Sequence, residues 1–139
     1  MNLDSQELPH VIVSACLEVH KHLGSHLVRD AYIECLSHEL NMREILYTRS
    51  LPVEIQYKGR RVSQAFQFDF VVEHQIVLDV QCFPEGDLGL KEAHKSRVMS
   101  LLRLSGYEIG LLVNFQASDL RNGIKRLIVS GNEPVLHYR

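Results

Sequence analysis

Near residue 50 the spacing of apolar residues changes from a helical to a strand period, and this change sets the class of fold. Before it, Val11, Ala15 and Val19 recur four apart, with Ile12 and Leu23 extending the stripe, so Gln6 to Leu23 reads as an amphipathic helix. Ser5 is the expected N-cap and Gly24 the expected stop. After the short Gly24-Ser25-His26 link, Leu27 to Met42 reads as a second helix with Ala31, Cys35, Leu36 and Leu40 inward. Beyond the change, Leu51, Val53, Ile55 and Tyr57 alternate with Glu54 and Gln56, which is a strand. Lys58-Gly59-Arg60-Arg61 follows as a hairpin turn. Val62 to Val72 is the return strand, with Phe66, Phe68 and Phe70 on one face and Gln67, Asp69 and Val71 on the other. Glu73-His74-Gln75 turns the chain into a third strand, Ile76 to Cys82, so an antiparallel meander is expected.

Pro84 to Gly89 reads as a loop and Leu90 to Leu104 as a helix, with Ala93, Arg97, Leu101 and Leu104 on one side and Val98 and Leu102 on another. The apolar run from Glu108 to Phe115 is short enough for a buried strand. A helical turn near Ser118 to Asn122 and a last strand near Arg126 to Val129 complete an α-α-β-β-β-α-β-(αβ) order. The fold class is α/β, a central mixed sheet flanked by helices. With no internal linker, residues 1–139 read as a single domain. No apolar stretch is long enough for a bilayer and the first residues are polar and acidic, so a cytoplasmic protein is expected. Cys16, Cys35 and Cys82 are odd in number and far apart, which argues against a disulfide framework and a structural zinc site. A formal net charge of −2 supplies no global basic field for gripping nucleic acid.

Two acids interrupt apolar strands, Asp69 in Phe68-Asp69-Phe70 and Asp79 in Leu78-Asp79-Val80. Alternation puts Asp79 and Gln81 on one face, with Asp69 on the strand before. Carboxylates on neighbouring strands suit a hard divalent cation such as Mg²⁺, which lowers the pKa of a bound water and offsets charge on a phosphoryl group. Two solvated aspartates on a polar sheet face explain the same pattern, and the acids alone leave both readings open.

Three segments carry a resemblance. Cys16-Leu17-Glu18-Val19-His20-Lys21-His22-Leu23-Gly24 resembles the Ile-Glu-Val-His-x-x-Leu-Gly opening of GxxExxY proteins, a branch of the PD-(D/E)XK nuclease superfamily. Leu104-Ser105-Gly106-Tyr107-Glu108-Ile109-Gly110-Leu111-Leu112-Val113-Asn114-Phe115 is similar to that family's Thr-Gly-x-x-x-Gly-Leu-Leu-Ile-Asn-Phe segment. Asp119-Leu120-Arg121-Asn122-Gly123-Ile124-Lys125-Arg126 is similar to its Leu-Lys-x-Gly-Ile-x-Arg ending. The match runs in one register over about residues 10–129, and the αβββαβ order it implies agrees with the periodicity apart from one extra leading helix.

The resemblance implies metal-dependent phosphodiester cleavage but carries its site over only in part. Asp69 and Asp79 match the strand acids and implied metal ligands, and the helix acid Glu18 is kept. Gln81 stands where the family has the lysine thought to orient the attacking water, so a hydrogen-bonding group remains without its charge. The family's name motif falls on His26 to Tyr32. Tyr32 is kept, while His26 replaces the glycine and Arg29 the glutamate. Arg97 and Leu101 stand where the later helix has Gln and Tyr. An arginine reaching Asp69 or Asp79 should pair with it and compete with a metal for the same oxygens. A solvated helix face is the alternative place for Arg29.

Lys58, Arg60 and Arg61, with Lys91, Lys95 and Arg97, are candidates for contacting phosphate, although a hairpin tip is charged for solubility as well. His94, near the start of the late helix, has two readings, a residue lining the cleft or, more readily, a solvated helix residue, and the histidine spacings do not build a zinc site. Three functions follow. One is a nuclease-like protein with lost or weakened cleavage that acts in nucleic-acid binding or assembly. The second is an active Mg²⁺-dependent nuclease using Asp69, Asp79 and Gln81. The third is a homo-oligomeric structural module.

Overall fold

The computed structural model describes residues 6–63, 66–86 and 88–129. Pro9 sits in the first turn of α1 (Leu8–Leu23), where its missing N–H is no loss. Gly24 ends that helix at φ 75°, its N–H donating to the His20 carbonyl at 2.8 Å. Glu7 holds the N-cap position, and the expected cap Ser5 lies outside the described residues. α2 (Arg29–Met42) buries Tyr32, Ile33, Leu36, Ser37 and Leu40. Its inward face is therefore rotated from the expected one, leaving Cys35 exposed and Ala31 half-buried.

The strand expected over Leu51–Tyr57 is two, β1 (Tyr47–Pro52) and β2 (Ile55–Tyr57). Pro52 has no N–H for a ladder, and the Val53 N–H beyond it donates to the Phe66 carbonyl at 2.8 Å, turning the chain out of the sheet. The return strand divides likewise into β3 (Arg60–Val62) and β4 (Gln67–Val72). β2 and β3 form a separate two-stranded ribbon around Lys58-Gly59, and β1, β4 and β5 (Ile76–Gln81) keep the expected meander. α3 (Leu88–Ser105) then crosses to β6 (Ile109–Asn114), which lies parallel to β5. A 3₁₀ turn over Leu120–Gly123 leads to β7 (Ile124–Ile128), antiparallel to β6. Among the described residues the main sheet runs β1-β4-β5-β6-β7, a mixed α/β architecture flanked by three α-helices. The tail from residue 130 lies outside the described residues. No helix among the described residues is long and apolar enough to cross a membrane.

The sheet divides the core in two. Ile12, Leu36, Phe70, Leu78 and Val113 pack with α1 and α2 on one side. Phe68, Val71, Val77, Leu102 and Leu112 pack with α3 on the other. Central β5 is covered on both faces, which explains why Ile76 to Val80 are all buried. Strict alternation would put Phe68 and Phe70 on one face, as the sequence led us to expect, yet they join opposite cores. The slip occurs at Asp69, opposite Ser50, which adopts a left-handed φ of 53°. The face expected for α3 is corrected too: His94, Val98, Met99, Leu101 and Leu102 are buried, while Ala93, Arg97 and Leu104 are exposed.

Gly123 is a tight point of the same sheet. A Cβ there would stand 2.6 Å from the Asn114 carbonyl oxygen and 2.9 Å from the Ala117 Cβ. Gly123→Ala should therefore cost about 1–3 kcal/mol, as overpacking against backbone does. Urea unfolding measures it, and an unchanged midpoint would show that the loop yields freely.

Candidate functional site

The slip at Asp69 builds the site. The β4–β5 ladder pairs Phe70 with Leu78 and goes no further, so Val80 lacks a backbone partner on that side. Side chains take over. The Asp69 carboxylate accepts the Val80 N–H through Oδ2 at 2.8 Å, and the Arg29 Nε donates to the Val80 carbonyl at 2.9 Å. The Arg29 Nη2 also donates to Asp69 Oδ1, closing a ring around one residue. Arg29 stands at the first residue of α2, so the helix start delivers the guanidinium to the break in the sheet.

Asp79 lies one step along β5, only 4% exposed, which removes the reading of two aspartates on a solvated sheet face. Gln81 shares its face as alternation requires, and the Gln81 amide donates to both Asp79 oxygens at 3.2 and 3.1 Å. His94 closes the other side, its Nε2 2.6 Å from Asp79 Oδ2. Of the two readings the sequence allowed, the cleft is the one found: this histidine is buried at the head of the stripe that continues through Val98, Leu101 and Leu102. That spacing of four and then three residues was the signal that could have found it. Phe83 packs edge-on to the His94 ring, with centroids 5.4 Å apart.

Asp69, Asp79, Gln81, Arg29, Arg97 and His94 together line one cleft of about 530 Å³. Glu18 is not among its lining residues; it pairs with His22 on α1 at 3.4 Å. Arg97 reaches the cleft but makes no ion pair among the described residues. Lys58, Arg60 and Arg61 sit on the ribbon, away from the cleft lining, where Arg61 pairs with Glu54 at 2.9 Å and Lys58 lies over the Tyr57 ring.

Strand acids at the open end of a mixed αβββαβ sheet are the arrangement the sequence resemblance implied, and the family model of the PD-(D/E)XK nuclease superfamily matches residues 6–127. The chain belongs to the PD-(D/E)XK nuclease superfamily. No curated protein and no solved structure matches it significantly.

PD-(D/E)XK nucleases typically depend on a divalent metal, and the residues in this cleft do not fit one. All four carboxylate oxygens of Asp69 and Asp79 already accept a donor from the protein, and one donor is a permanent cation. Among the described residues no three His, Cys, Asp or Glu side chains gather as a ligand set. The Gln81 amide N–H groups are turned onto Asp79, which leaves only its carbonyl facing a water.

Burial lifts the Asp69 carboxyl above the ordinary carboxylate value. The Val80 N–H and Arg29 pull it back only in part, and the Asp79 charge adds to the rise. A carboxyl raised in the folded state binds its proton more tightly there than in the unfolded chain. It therefore loses stability as pH climbs from the ordinary value through the raised one. Asp69→Asn lacks that loss. The stability difference between Asp69→Asn and the native chain should move in the variant's favour from pH 4 to pH 7. Urea titrations at both pH values test it, and a shift the other way would mean the ion pair dominates burial.

Proposed function

We propose that this chain is a GxxExxY-type protein, a single PD-(D/E)XK domain in which metal-dependent phosphodiester cleavage is lost or much weakened, acting in the cytoplasm in nucleic-acid binding or assembly. One observation carries the reading. The Arg29 guanidinium sits on Asp69, in the position where a metal-dependent enzyme of this superfamily needs a bare carboxylate. Gln81 and His94 occupy Asp79 in the same way, so the second acid is not bare either. Arg97, exposed on the wall of the cleft, supplies a cation for a phosphate backbone.

The test is cleavage of labelled single- and double-stranded DNA and RNA in Mg²⁺ and in Mn²⁺. Product should stay at the level of an EDTA control. Cleavage that requires the metal and disappears in Asp79→Ala would overturn the proposal. Binding is read separately by fluorescence anisotropy in EDTA over a range of salt, where phosphate contacts give affinity that falls with ionic strength. Sedimentation velocity decides between nucleic-acid binding and assembly of several copies.

A further inference from the structure

The β2–β3 ribbon stands off the main sheet on a fixed foot. Val53 is buried, Ile55 packs against the α3 side of the core, and the bond from the Val53 N–H to the Phe66 carbonyl closes the base. Phe66 also lines the acid cleft, as Arg97 does, so the ribbon rises from the rim of that cleft. Beyond Ile55, residues 56–63 are all exposed.

The charge on this arm is local. From Glu54 to Phe66 the sequence holds three cations, Lys58, Arg60 and Arg61, against one acid, Glu54, in a chain of net charge −2. Glu54 pairs with Arg61 at 2.9 Å, and the two side chains are 47% and 76% exposed. An exposed pair of that kind is worth little, so a phosphate exchanges for Glu54 at small cost. Arg60 makes no ion pair or hydrogen bond among the described residues. Lys58 lies 5.4 Å over the Tyr57 ring, itself 61% exposed. Lys58 and Gly59 have φ of 48° and 82°, the geometry of a type I′ turn. Asparagine, aspartate or glycine suits the first of those places, and a lysine there costs stability. The turn gives up that stability and carries a cation at its apex.

The arrangement discriminates among nucleic acids. The register sets Tyr57 opposite Arg60 on one face and Gln56 opposite Arg61 on the other, with Lys58 at the tip. A single strand follows a basic track along one side of a protein. Cations on both faces and at the tip suit a groove walled by phosphate on both sides, which a duplex supplies. Two strands about 5 Å apart, with their side chains, fit the major groove of B-form DNA, about 12 Å wide, and not the minor groove, about 6 Å wide. Three residues in each strand reach about 10 Å, against a groove depth of about 8.5 Å. The major groove of A-form RNA is too deep and narrow to admit them. We infer that the β2–β3 ribbon is an arm that enters the major groove of double-stranded DNA. Arg60 and Arg61 reach the phosphates of the two walls, and Lys58 goes in at the tip. This rests on the reading of the chain as a nucleic-acid binder, and it names the form bound and the surface that binds it.

The experiment is fluorescence anisotropy of the full chain in EDTA over a range of salt. The probes are a labelled DNA duplex two helical turns long, one of its strands alone, and a duplex RNA of the same length. The DNA duplex should bind most tightly. Arg60→Gln should weaken that binding about tenfold near 0.1 M salt and lower the slope of log affinity against log salt by about one, the scale of one phosphate contact. Lys58→Asn should lose about as much affinity although asparagine suits the turn better, so its loss is not one of folding. Lys21→Gln, an equal charge change to Arg60→Gln on the exposed side of α1, should bind as the native chain does. Tighter binding of the single strand or of duplex RNA overturns the groove arm. So does a loss that Lys21→Gln shares. DNA binding that neither ribbon variant weakens overturns the arm and leaves nucleic-acid binding standing, whereas no binding of any probe overturns both.

Discussion

Arg29→Glu is expected to bind Mn²⁺ at least about tenfold more tightly than the native chain, read by calorimetry or by the spin resonance of the ion. The substitution removes a permanent cation from Asp69 and adds a third carboxylate beside Asp69 and Asp79. A charge-assisted hydrogen bond is worth about 1.5–3 kcal/mol, which corresponds to roughly ten- to hundredfold in affinity. The native arginine side chain is 40% exposed, which places the expectation at the lower end. The Val80 carbonyl loses its Arg29 donor, but water entering the open cleft replaces it, and circular dichroism checks that the fold persists. Asp79→Ala added to Arg29→Glu should abolish the gain. If the native chain holds Mn²⁺ as tightly as the variant, the guanidinium is no obstacle and the proposed loss of cleavage loses its physical basis.

Tyr32→Ala should cost about 4 kcal/mol of folding stability, near the upper range for truncating a core aromatic. Its ring is fully buried and stacked on Phe115, with centroids 4.5 Å apart. Its hydroxyl donates to the Gly24 carbonyl at 2.6 Å and accepts the Leu27 N–H at 3.2 Å, spanning the link between α1 and α2. Tyr32→Phe should cost about 1–2 kcal/mol, since it leaves both backbone groups without that partner. Urea unfolding of the two variants separates ring from hydroxyl. A loss for Tyr32→Ala no greater than that for Tyr32→Phe would deny the stacking its weight. Tyr32 thereby has a structural task that no metal enters.

The helices, the meander and the pairing of Asp79 with Gln81 were legible because each rests on local periodicity. α1 has a clean stripe and a glycine stop, and the alternation in β5 places side chains two apart on one face. The break at Pro52 and the slip at Asp69 were not legible. Phe66, Phe68 and Phe70 look like one face in a regular strand, and only the left-handed Ser50 on the neighbouring strand and the end of the β4–β5 ladder turn Phe68 away from Phe70. That Arg29 would pair with an acid if it reached the cleft followed from charge, while a solvated helix face stood as the alternative. Its hold on Val80 was not legible, because nothing in the sequence marks a residue that has lost its ladder partner. For His94 the solvated reading was favoured because its polarity was weighed above its place in the stripe of Val98 and Leu102.

The ring that Asp69 and Arg29 close around Val80 gives the strand acid a task apart from chemistry. A carboxylate that satisfies a peptide N–H inside a sheet has a reason to be kept whether or not the cleft cuts, because its replacement would leave a strand unstitched. Arg29 performs the matching half of that stitch, so replacing either residue leaves the other's hydrogen bonds unbalanced. Acids in a cleft of this shape are therefore a poor index of whether a nuclease fold cuts; what the nearest guanidinium holds is the better one.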